Sequence, residues 1–247
     1  MRTETLDWIF SGYSILHVNQ LDVKNELTAK NTAESTNAES SSIEDKTDLV
    51  TGVYEGGFKI WECSYDLLSH LQKITETEPV KNLNVLDLGC GSGVLGIACA
   101  LQGAGSVTFQ DYNAEVIKGI TMPNYLANIG NRDDLNCKSH FVSGPWDTFC
   151  KCISKYKKAF DLILTSETIY NTSHYSSLIA IFDFCLSAKG RVLLAAKVNY
   201  FGVGGGVRQF EKALVDLNSD ASKWSFQTVQ VLEDNVKREI VQIKRKE

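Results

Sequence analysis

The sequence predicts an α/β fold: a doubly wound, seven-stranded sheet, mostly parallel, with an antiparallel last strand. Three observations carry this. Apolar runs of strand character alternate with helical patterns through most of the chain, and strands separated by helices form a parallel sheet with helices on both faces. The rhythm changes near the C-terminus, where two strand-like runs, 225–232 and 239–244, are joined only by a turn. That is a hairpin, so the last strand runs against the others. Finally, the first apolar run ends in an acid and a turn almost without side chains, Asp87-Leu88-Gly89-Cys90-Gly91-Ser92-Gly93.

The elements follow in order. Residues 1–27 hold Trp8, Ile9, Phe10, Ile15 and Leu16, an arm that either docks or stays mobile. Residues 28–50 are rich in Ser, Thr, Asn and Glu, have little to bury and read as a disordered linker. The main domain then spans 51–247. A helix is predicted over 61–74, where Leu67, Leu68 and Leu71 share one face. Strands are predicted at 84–88, 106–110, 139–142, 160–164 and 191–196. Helices are predicted at 93–102, 114–128, 148–156, 173–187 and 207–217.

Bulk properties narrow the class. The chain has 247 residues, 43% of them hydrophobic, which suits one domain plus a tail. No window reaches the roughly 18 to 20 apolar residues of a membrane-spanning helix, and Met1-Arg2-Thr3-Glu4 does not open a secretory leader. Seven cysteines without disulfide or zinc spacing read as reduced thiols of a cytoplasmic and nuclear protein. A net charge of −5 argues against nucleic acid as a direct partner. His17, His70, His140 and His174 are dispersed, so no metal is expected.

The glycine turn carries the chemistry. Gly89, Gly91 and Gly93 let backbone approach a ligand closely, and the following helix points its free N–H groups at it. The stretch 91–96 also fits the dinucleotide pattern G-x-G-x-x-G, with Asp111 at the distance of a ribose-binding acid. Three features favour S-adenosylmethionine over NAD. Asp87 would bond an ammonium and gain nothing from a pyrophosphate; no separate substrate domain follows; and the chain ends in a hairpin. Asp111 ends the second strand, placed either for the ribose hydroxyls or as a helix cap. Beyond the third strand, Gly144 and Trp146 mark an adenine slot, a core tryptophan being the plainer reading.

Further segments are more discriminating. Gly56-Gly57-Phe58-Lys59-Ile60-Trp61-Glu62, Phe109-Gln110-Asp111-Tyr112-Asn113, Ser166-Glu167-Thr168-Ile169-Tyr170 and Asn199-Tyr200-Phe201-Gly202-Val203-Gly204-Gly205 closely resemble the protein-histidine methyltransferases. These are Rossmann-like, seven-stranded class I enzymes, and the likeness runs from about Val53 to the C-terminus. It implies a methyl donor held by Trp61, Glu62, Gln110, Tyr112, Asn113 and Ser166 beside the residues above. It also implies a histidine substrate in a large-subunit ribosomal protein; a monomer is expected, though nothing in the sequence fixes the oligomeric state. Glu167, or a carbonyl beside it, is the acceptor that fixes the imidazole tautomer; the plainer reading of Glu167 is a helix-capping acid. Tyr170 and the segment holding Asn199 and Phe201 would wall the acceptor channel. A protein-lysine methyltransferase and a non-catalytic cofactor-binding ribosome-assembly factor remain the alternatives.

Overall fold

The computed structural model describes residues 3–10, 13–19, 55–152, 154–217 and 223–246. The linker expected at 28–50 lies outside the described residues. The arm does dock. It forms a hairpin of β1 (Thr3–Phe10) and β2 (Tyr13–Val18), and Ile15 and Val18 of β2 are buried.

The first apolar run of the main domain, β3 (Asn84–Leu88), becomes the middle of the large sheet. Both its faces are covered, and residues 85–88 are all buried. Val85 points into one core layer, and Leu86 and Leu88 into the other. To one side lie β4 (Ser106–Asp111) and then β5 (Lys138–Ser143). To the other lie β6 (Phe160–Ser166) and β7 (Leu186–Lys197), and all these neighbours pair in parallel. The last hairpin, β8 (Trp224–Glu233) and β9 (Lys237–Arg245), folds back so that β9 lies between β7 and β8, antiparallel to both. The strand order therefore reverses beside β3, and a cleft opens beyond the carboxyl ends of β3 and β6.

One layer over the sheet contains α1 (Glu62–Ile74) and α2 (Val94–Leu101), packed through Leu67, Leu68 and Ile97. The opposite layer holds α5 (Trp146–Cys152), α6 (Tyr175–Cys185) and α7 (Val207–Asp216). The helix predicted over 114–128 is broken into α3 (Ala114–Val116), a π-helical turn (Ile117–Thr121) and α4 (Met122–Ile129). The cause is Pro123, which has no N–H and whose ring clashes with the carbonyl one turn back; a widened turn absorbs both defects.

Phe109 locks α2 to the sheet. Its ring stacks on Phe141 at 5.1 Å and meets Tyr125 edge-on at 5.7 Å. A Cβ on Gly96 would lie 2.4 Å from the Phe109 ring, so only glycine allows this approach of helix to strand. The N-terminus of α2 is thereby held at the cleft.

Candidate active site

The cleft is a cavity of about 600 Å³, within the range of small-molecule sites. Its floor is the glycine loop, held from behind. Cys90 N–H donates to the Gln110 carbonyl at 2.8 Å, and Gly91 N–H donates to Asp111 Oδ2 at 2.9 Å. Gly91 has φ +49°, and a Cβ there would sit 3.0 Å from the Gly57 carbonyl. The floor thus nearly touches the wall formed by residues 55–61.

That wall is braced by Asn113, whose Oδ1 accepts from Glu55 N–H at 3.1 Å. Trp61 donates its indole N–H to the Gly56 carbonyl at 3.1 Å and carries Lys59 4.7 Å from its ring centre. Across the cavity, Trp146 donates to Gln110 Oε1 at 3.0 Å, and Gln110 Nε2 donates to the Gly144 carbonyl at 2.8 Å. Gln110 therefore sets where the Trp146 ring stands.

At the far end, β6 gives way to Glu167 in left-handed backbone, φ +57°. Such a conformation is strained for a residue with a side chain and persists only when its surroundings hold it. Glu167 N–H donates to the Ala195 carbonyl at 3.0 Å, and Tyr200 OH donates to Glu167 Oε2 at 2.5 Å. Oε1 is buried and has no hydrogen-bond partner among the described residues; Lys197 Nζ stands 3.9 Å away. Tyr170 meets Tyr200 edge-on at 6.3 Å, and the Ser166 and Ser64 hydroxyls are 2.8 Å apart.

Of the sequence-predicted residues, Trp61, Gly89, Gly91, Asp111, Tyr112, Trp146, Ser166, Glu167 and Tyr170 line the cavity. Others support it from behind. Asp87 is buried, and its Oδ2 accepts from Gly96 N–H at 2.8 Å, so it anchors α2 and does not face the cleft as expected. Burial pushes its pKa to about 8. Gly93, Gln110, Asn113 and Gly144 likewise form no part of the wall; turn geometry and the hydrogen bonds above turn them to the loops.

Two expectations place residues outside altogether. Glu62 is 60% exposed and pairs with Lys197 at 3.4 Å on the outer surface, because it opens α1 beside Trp61 and points away. Asn199 is exposed, and so is Phe201. The turn closed by Gly204 N–H on the Tyr200 carbonyl, 3.0 Å, faces Tyr200 inward in their place. Sequence reasoning named Tyr200 only as part of a wall and missed Lys197, Lys59, Thr168 and His174, which also line the cavity. The available signal was position: Lys197 ends β7 as Ser166 ends β6.

The charge pattern selects the ligand class. Glu55, Asp111, Asp147 and Glu167 line the cavity against Lys59 and Lys197. A pyrophosphate would be repelled, whereas a ligand with a sulfonium and an ammonium is favoured. Burial raises the Asp111 pKa to about 6, opposed by backbone N–H donors from Asn113, Gly91 and Tyr112. Both oxygens keep lone pairs for ribose hydroxyls.

Comparison with known proteins agrees with this geometry. A family profile described as lysine methyltransferase matches residues 38–204. The histidine protein methyltransferase 1 homologue of Mus musculus is 41% identical, over 92% of this chain and 67% of its own. That of Dictyostelium discoideum is 45% identical, over 82% of this chain and 62% of its own. The chain belongs to the histidine protein methyltransferase family. It spans about two thirds of the length of these relatives. Among solved structures, a TehB-like SAM-dependent methyltransferase from Corynebacterium glutamicum has a TM-score of 0.52 at 14% identity, covering 92% of this chain and 100% of its own. A methyltransferase complexed with SAH has a TM-score of 0.52 at 13% identity, covering 72% of this chain and 49% of its own. These structures share the fold of this chain.

Proposed function

We propose that this chain transfers a methyl group from S-adenosylmethionine to a ring nitrogen of histidine in a protein substrate, a large-subunit ribosomal protein. One observation carries the reading: a buried glutamate at the acceptor end of the cavity has one oxygen bonded to Tyr200 and the other buried without a hydrogen bond, 3.9 Å from Lys197 Nζ.

The sulfonium of the donor is already activated, so alignment and exclusion of water are the main tasks left to the protein. Trp61 and the glycine loop hold the donor; Tyr170 and Tyr200 flank the acceptor. A neutral imidazole is a competent nucleophile near pH 7. What it needs is the tautomer with the attacking nitrogen bare. Glu167 Oε1 would accept the opposite ring N–H, fix that tautomer, and stabilise the positive charge on the ring as the methyl arrives.

The family profile's description keeps a lysine acceptor as the second reading. A lysine ammonium must first lose a proton, a step that a neutral imidazole does not need. Two synthetic peptides of one sequence, with histidine or lysine at the centre, separate the readings with methyl-labelled donor. Label in the histidine peptide supports the proposal; label only in the lysine peptide overturns it.

A further inference from the structure

The docked N-terminal hairpin has a specific means of reaching the donor site. The free edge of β2 pairs with two amide side chains on α4. Leu16 N–H donates to Asn128 Oδ1 at 2.8 Å, and Asn128 Nδ2 donates back to the Leu16 carbonyl at 2.8 Å. Val18 N–H donates to Asn124 Oδ1 at 2.7 Å. The match is geometric: two residues along a strand and four along a helix both span roughly 6 to 7 Å. Asn124 and Asn128 thus act as a stand-in for a neighbouring strand.

Asn124 does more than hold the hairpin. It is fully buried, and its Nδ2 donates to the Ser92 carbonyl at 2.8 Å. Ser92 belongs to the glycine loop and lines the cavity. One turn earlier, Thr121 Oγ1 donates to the Gly91 carbonyl at 2.6 Å. A second path runs through packing: Val18 lies in one cluster with Phe58, Val116 and Ile120, and Phe58 sits within the 55–61 wall.

We infer that Asn124 is a positioning residue for donor binding, coupling the N-terminal hairpin to the glycine loop. The hairpin holds one side of the amide and the loop carbonyl the other, so each adds to the fixing of the other. Coupling of this kind is reciprocal: if hairpin docking strengthens donor binding, donor binding must strengthen hairpin docking by the same factor. The inference rests on the S-adenosylmethionine reading and is independent of which residue accepts the methyl.

The test is hydrogen exchange on the full chain with and without S-adenosylhomocysteine, joined to calorimetric titration of two variants. In wild type, S-adenosylhomocysteine should slow exchange at the Leu16 and Val18 amides about tenfold, although neither residue lines the cavity. Asn124→Ala should weaken its binding about tenfold. Asn128→Ala loosens the hairpin without touching Ser92; it should weaken binding about threefold and abolish the protection at Leu16. Should Asn124→Ala fold poorly, the wild-type exchange and Asn128→Ala decide. Unchanged exchange at both amides, or wild-type affinity in Asn128→Ala, overturns the coupling. Absence of any binding by wild type would remove the donor reading as well.

Discussion

A glutamate held in left-handed backbone, with one oxygen bonded to Tyr200 and the other buried without a hydrogen bond, has the features of a group kept for a ligand. Its neutral analogue tests that role. Glu167→Gln keeps the shape but loses the charge opposite the forming imidazolium, so kcat should fall roughly 10²-fold while S-adenosylhomocysteine binds as in wild type by calorimetry. A variant that methylates at the wild-type rate would contradict the role. Tyr200→Phe removes the hydroxyl that fixes the carboxylate. It should lower kcat about tenfold and leave the donor KM unchanged. Asp111 gives a pH signature. Its pKa of about 6 is raised above the ordinary carboxylate value, so the free protein takes up a proton as pH falls through 6. Ribose hydroxyls need the ionised form as acceptor, so affinity should fall about tenfold per unit below pH 6. Asp111→Asn should bind more weakly and lack that slope. Glu167, Tyr170, Asp111, Gly89 and Gly91 were legible because strand ends in a doubly wound sheet face one cleft. Glu62 and Asn199 were misplaced because direction along a helix start or a tight turn depends on packing. In each case a neighbour, Trp61 or Tyr200, takes the inward position.

Strand β3, the glycine loop and α2 form the element that makes the site, and Asp87 is its internal fastener. Gly96 N–H has its partner only while Asp87 accepts from it. Asp87→Ala should therefore destabilise the fold by about 1–3 kcal/mol, since a buried donor loses its acceptor; chemical denaturation measures this. Asp87→Asn keeps an acceptor oxygen and should cost less. The charge also sets a pH dependence. A folded-state pKa of about 8 lies above the ordinary 3.8, so between these values the folded chain holds more protons than the unfolded one. That contribution is fully present at low pH and is lost as pH rises through 8. Asp87→Asn should flatten the decline. The strand and helix of this element were legible almost to the residue, because apolar residues ending in an acid and a glycine turn mark where strand gives way to helix. The π-helical turn was not: helical periodicity continues through 114–128, and only Pro123 hints that the ladder must widen.

Across the whole molecule, alternation and the closing hairpin were enough to specify the seven-stranded sheet, the antiparallel direction of its last strand and the edge where the cleft opens; that β9 inserts between β7 and β8 was not read from the sequence. The N-terminal hairpin was not legible. Its docking partners Asn124 and Asn128 stand more than 100 residues away in sequence, and no local window shows that two asparagines one helical turn apart will replace a strand. The identity of the acceptor is likewise a property of the assembled cleft, set where residues from β6 and β7 meet beside the glycine loop. It is therefore best read from the product. The intact chain should be incubated with S-adenosylmethionine and purified large-subunit ribosomal proteins, and the modified residue mapped by fragmentation mass spectrometry. A single methyl on a histidine ring is the predicted result. A methyl on a lysine side chain, or no modification while the donor binds, would contradict it.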